Sequence, residues 1–231
     1  LSVEKLVYQL FYITGILTLM TSVFADRLIV VFKPLVVVAL CVIYLIKTKQ
    51  KNYLVIVTML LIMVIEVLTA KDFVKYFRVL NILLSVYYIL NIVLLWKSFK
   101  RIKVRLKKIF TIQLLITMVL IVYVLFSVAD LILPQVHDDG VYLFILIVCF
   151  TVFIGVCYYI YLNSKTVVSS SLMVAASCFL IVNIITALNS LYVFLEVFVL
   201  IANFLQISGQ YFLIKFFIEQ QSLTPVNDDY L

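Results

Sequence analysis

The chain has 231 residues, of which 66% are apolar and 13% charged, against roughly 45–50% and about 25% in an ordinary soluble domain. Its 18 Lys and Arg outnumber 11 Asp and Glu, for a net charge of +7. Such a composition excludes a soluble globular protein, a disordered tail and a secreted disulfide scaffold, and it ties the basic excess to membrane topology rather than to nucleic acid.

A spanning helix needs about 20 mostly apolar residues. In chain order the runs that meet this demand are Leu6–Phe24, Leu28–Ile46, Tyr53–Thr69, Phe77–Trp96, Ile109–Leu131, Val141–Leu162, Val167–Leu188 and Ser190–Phe217. The first is read as a span rather than a cleaved signal peptide. Its apolar core exceeds the usual ~7–15 residues, and Ser22-Val23-Phe24-Ala25 is a poor small-x-small cleavage site. The last is long enough to tilt or protrude. The expected architecture is therefore all-α, a polytopic transmembrane bundle of eight helices, with residues 1–219 as one domain and 220–231 as a short polar tail.

Charge predicts the orientation. With the N-terminus in the cytoplasm, 13 of the 18 Lys and Arg fall on that side, which obeys the positive-inside rule and requires an even number of helices. Both termini are thus expected in the cytoplasm, the membrane being a bacterial inner membrane. The run KSFKRIKVRLKK, from Lys97 to Lys108, holds seven cations. It reads as a topology anchor, with the binding of anionic headgroups as the alternative.

Several kinds of chemistry drop out early. The cysteines Cys41, Cys149, Cys157 and Cys178 lie inside apolar runs without metal-site spacing and read as packing residues. The single histidine, His137, stands beside Asp138 and Asp139 in a connection, which reads as a solvated loop. There is no phosphate-binding glycine loop and no nucleophile elbow, so neither metal nor cofactor is expected.

An ionisable side chain at the bilayer centre costs at least ~2.5–3.5 kcal/mol, so each one inside a span calls for a reason. On the topology above, Lys33 of the second helix, Glu66 of the third, Asn81 of the fourth, Asp130 of the fifth, Asn183 of the seventh and Glu196 of the eighth share one layer near the non-cytoplasmic end. Helical phase at about 100° per residue puts Asn203, Gln206 and Gln210 on the same side of the eighth helix as Glu196. On the fourth helix, Asn81, Ser85, Tyr88 and Asn91 form a stripe of similar width. Polar stripes in lipid face other helices or a wet cavity. Two readings follow: a polar cavity open to the outer leaflet, or interhelical hydrogen bonds with Asp26, Lys33 and Asp130 snorkelling to the interface.

The order of these features resembles the lysoplasmalogenase-like family, also called the YhhN family. The resemblance runs over nearly the whole chain on short motifs: Phe32-Lys33-Pro34-Leu35 in the second helix, Ile65-Glu66-Val67-Leu68-Thr69 in the third and Ser85-Val86 in the fourth. The seventh carries Phe179-x-x-Val182-Asn183 and then Thr186-Ala187-x-Asn189, and the eighth Gln210-Tyr211. The family's two intramembrane aspartates fall on Glu66 and Asn183, and its fourth-helix histidine falls near Val86. Glutamate keeps the carboxyl group, whereas asparagine loses the proton chemistry.

The resemblance implies hydrolysis of the vinyl ether of a lysoplasmalogen to a fatty aldehyde and a glycerophospho-base. That reaction begins with protonation of the alkene carbon, for which a carboxylic acid is the natural donor, and a nearby carboxylate stabilises the oxocarbenium ion. On this reading Glu66, Asn183 and Glu196 are the catalytic candidates. Lys33, Asn81, Ser85, Tyr88, Asp130, Asn203, Gln206 and Gln210 are the substrate-binding ones, and the partner is a membrane lipid or lysolipid. A Lys33–Glu66 ion pair would leave Glu66 a poor acid. The alternative is a non-catalytic relative that binds a lipid or a partner protein, favoured by the loss of the seventh-helix aspartate.

Overall fold

The computed structural model describes residues 3–24, 26–101, 112–164 and 167–222. Within them lie the helices α1 Val3–Phe24, α2 Asp26–Lys47, α3 Tyr53–Asp72, α4 Phe77–Arg101, α5 Ile112–Ile132, α6 Gly140–Ser164, α7 Val167–Leu191 and α8 Glu196–Ser222, with two 3-10 turns, Leu133–Gln135 and His137–Asp139, joining α5 to α6. All eight helices are long and apolar enough to cross a membrane. Lipid offers no partner for a free backbone N–H or C=O, and a helix satisfies both within one segment. The chain is an all-α integral membrane protein.

Local chemistry sets the helix ends. Asn52 caps α3 by accepting the N–H of Leu54 at 3.0 Å, while its own N–H donates to Tyr44 Oη at 3.1 Å. The α2–α3 connection is thereby tied to the bundle. Along α1, Thr14, Thr18, Thr21 and Ser22 are buried and return their hydroxyl protons to carbonyls one turn back, as Thr18 does to Thr14 at 2.8 Å. That settles each hydroxyl without water and leaves a small-residue face on which neighbouring helices can approach closely.

The helices form a ring. α1 packs on α2 and α8, α2 also on α3 and α8, and from there the ring runs α3, α4, α6, α7 and back to α8. α5 stands outside this order, against α6 and α7. The largest fully buried side chains include Tyr44, Tyr88, Phe153, Phe179 and Leu40.

The seventh and eighth spans differ from expectation. α7 continues past Leu188 to Leu191, and α8 begins at Glu196 rather than Ser190. Asn189 explains the shift: its Oδ1 accepts the N–H of Leu195 at 2.7 Å, and the N–H groups of Tyr192 and Val193 both reach Leu188 O at 2.9 Å. A side chain closes this reversal, with neither Gly nor Pro to announce it. α4 likewise runs beyond Trp96 to Arg101, and Lys100 lies 5.6 Å from the Trp96 ring centroid. The basic run beyond Arg101, the side chains of Asp26 and His137, and the tail from residue 223 lie outside the described residues.

Candidate functional site

α2 brings Lys33 into the bundle immediately before Pro34, a proline inside the helix. Having no N–H, Pro34 cannot bond the carbonyl of Val30, so the turn that carries Lys33 is held more loosely than its neighbours. From α3 comes Glu66. Lys33 Nζ lies 2.6 Å from Glu66 Oε2, with the two side chains 11% and 3% exposed. Those exposures make it a buried ion pair and not a surface one.

The second carboxylate oxygen is served by α8. Gln206 Nε2 donates to Glu66 Oε1 at 2.6 Å and Gln210 Nε2 donates to the same atom at 3.0 Å. The two glutamines stand one turn apart, with Gly209 between them. A methyl group at Gly209 would lie 3.1 Å from Cys178 Cβ and 3.1 Å from Phe179 Cε1 of α7. The missing side chain thus lets α8 lie close against α7 while both amides extend towards α3. Three helices therefore hold one carboxylate. Every contact to it is a donor, the arrangement that a buried carboxylate needs to offset its desolvation.

A second polar group links α4 and α7. Asn183 Nδ2 donates to Tyr88 Oη at 2.8 Å and to Phe179 O at 2.7 Å. The Tyr88 ring is fixed by Phe150 at 4.8 Å and Phe153 at 5.2 Å between centroids. Ser85 spends its proton on Asn81 O at 2.7 Å. The amide nitrogens of Asn81 and Asn203 are buried without a hydrogen-bond partner among the described residues.

These groups surround a cavity of about 110 Å³. Its polar wall includes Lys33, Glu66, Asn81, Tyr88, Asn183 and Gln206, and its apolar wall includes Ile62, Leu84, Leu125, Ile147, Phe150 and Phe179. Every helix but α1 contributes to the lining. Since one water needs about 10–15 Å³ by this measure, the space takes several waters, or the polar end and first carbons of an amphiphile.

The expected site is therefore assembled in part. Lys33, Glu66, Asn81, Tyr88, Asn183 and Gln206 line the cavity, and Gln210 reaches it through Glu66. Ser85 and Asn203 are buried but stand behind the wall. Asp130 and Glu196 are corrections: both are exposed and neither lines the cavity. On α5 it is the neighbouring Ala129 that turns inward, so Asp130 faces outward, and Glu196 is the first residue of α8, where a carboxylate suits the helix N-terminus. The lining also includes Thr69, Tyr87 and Thr186, which the sequence reading left out. Thr69 and Thr186 each stand three residues beyond Glu66 and Asn183, so the helical period was the available signal.

No group of three or more His, Cys, Asp or Glu suited to a metal ion occurs among the described residues. Comparison of the chain with protein-family models, curated proteins and solved structures finds no match.

Proposed function

We propose that this integral membrane protein binds a lysolipid, a single-chain amphiphile with a polar head, as a relative of the lysoplasmalogenase-like family. The observation that carries the reading is the buried Lys33–Glu66 pair, braced by Gln206 and Gln210, in the polar wall of a cavity whose other wall is apolar. A ligand there must satisfy two chemistries. Ile62, Phe150 and Phe179 call for hydrocarbon, while the Lys33 ammonium has three donors and one partner among the described residues. A phosphate is the natural acceptor for the remainder. Tyr88 accepts from Asn183 and keeps its own proton to donate. The split of Lys and Arg argues for both termini in the cytoplasm and for a cavity that opens towards the outer leaflet of a bacterial inner membrane.

A second reading, vinyl ether hydrolysis, is favoured by Glu66 itself lining the cavity. The obstacle is its company: with donors on both oxygens, a carboxylic acid proton has nowhere to go. A substrate phosphate that drew Lys33 away would free Oε2 to take up a proton and pass it to the alkene carbon. Asn183 would then position the water that attacks the oxocarbenium ion.

One experiment separates the readings. Detergent-purified protein is incubated with a lysoplasmalogen, and bound lipid and free aldehyde are both measured. Intact bound lysolipid is the expected result. Aldehyde that disappears in Glu66→Gln would put the hydrolase first, and neither binding nor release would overturn both.

A further inference from the structure

A second cavity, of about 190 Å³, lies between α1, α2 and α8. Lys47, which lines it, stands about 21 Å along α2 from Lys33 at 1.5 Å per residue, so this cavity belongs to the opposite end of the bundle. Its deeper wall is apolar, with Leu40, Ile43 and Ile214. Its mouth carries Tyr8, Lys47, Tyr211, Lys215 and Glu219.

The charges at this mouth come in pairs. Lys47 is paired with Glu4, and Lys215 with Glu219 at 3.8 Å. The side chains are 35% and 49% exposed in the first pair and 37% and 32% in the second, so both pairs are open to water and weakly held. Lys47 Nζ also lies 5.8 Å from the Tyr8 ring centroid. Two phenols and two lysines at a helix end match the level of lipid headgroups in a bilayer.

We propose that this slot holds a phospholipid with a zwitterionic amine headgroup, of the phosphoethanolamine kind. A simple anion would have to part each lysine from its glutamate and leave that carboxylate unreplaced, and a simple cation would do the same to each lysine. A headgroup bearing both signs exchanges both pairs together: its phosphate takes Lys47 and Lys215, and its ammonium takes Glu4 and Glu219, with the Tyr8 face as a further cation acceptor. The glycerol and first acyl carbons then lie against Leu40, Ile43 and Ile214. This site is independent of the lysolipid cavity and of anything that happens at Glu66.

The test uses the full chain in detergent, with lipid retention read by native mass spectrometry. Phosphatidylethanolamine and phosphatidylglycerol of identical acyl chains are compared on the unaltered protein, with inorganic phosphate as a soluble competitor. The expected result is a preference for phosphatidylethanolamine of roughly tenfold, about 1.4 kcal/mol, which inorganic phosphate does not remove. The preference disappears in Glu4→Gln/Glu219→Gln, which removes the two acceptors of the ammonium and leaves the phosphate contacts common to both lipids, and whose gel-filtration profile reports on folding. Equal retention of the two lipids, or displacement by inorganic phosphate, would overturn the zwitterionic site without recourse to any variant. A preference that survives in the well-folded double variant would overturn the assignment to these glutamates.

Discussion

Two lysines of α2, one near each end of the same helix, each pair with a glutamate, and the two pairs live in different worlds. Lys33 and Glu66 are 11% and 3% exposed, whereas Lys47 and Glu4 are 35% and 49% exposed. The chemistry is the same, so burial alone decides what each pair means. The exposed pair, screened by water, contributes little to the fold. The buried one is committed: each partner neutralises a charge that the bundle interior could not otherwise hold, and two glutamines complete the carboxylate's coordination. Apolar side chains of similar volume would serve the fold about as well as such a pair. Its presence at a cavity wall is what makes it a candidate site.

Breaking one partner sharpens the contrast most. Lys33→Met should lower stability by about 3–5 kcal/mol, because it strands Glu66 as an uncompensated buried charge. Thermal unfolding in detergent measures this, and Lys33→Met/Glu66→Gln should recover most of the loss. A smaller effect is expected at the α7–α8 contact. Gly209→Leu should cost about 1–3 kcal/mol by overpacking against Cys178 and Phe179, and should weaken lysolipid binding because it displaces both glutamines. Melting and lipid retention, measured on one preparation, check the two effects together. At the opposite end of α2, Glu4→Gln should change stability by only about 0–1 kcal/mol. A loss there as large as that of Lys33→Met would remove the distinction between the two pairs.

Much of this was legible in the sequence, and for a physical reason. Lipid forces the backbone into helices, so apolar runs report spans directly, and all eight appear. A polar residue in such a run has few places to go, which is why Lys33, Glu66, Asn81 and Asn183 meet at one cavity. The phase of Gln206 and Gln210 on the eighth helix was also readable, since they share a face. Phase fails where a helix is apolar all round. Nothing in the neighbourhood of Asp130 says which way it turns, and α5 presents Leu125 and Ala129 inward instead. Glu196 was misplaced by its helix boundary: with the reversal closed by the side chain of Asn189, the glutamate moved from an interior position to the first residue of α8. Partner choice was the remaining gap. That Gln206 and Gln210 would serve Glu66, one helix pairing across the ring, depends on the close approach at Gly209, which no local pattern records.

The central claim is that the Lys33–Glu66 pair exists for a ligand. It is tested most directly by lysolipid retention in the unaltered protein against Lys33→Met/Glu66→Gln, which removes both charges, preserves volume and leaves an oxygen for the two glutamine amides. This variant should fold and melt close to the parent, yet retain lysolipid at least roughly tenfold more weakly, a difference of about 1.4 kcal/mol. Equal retention by the two well-folded proteins would contradict it and return the pair to a purely structural role.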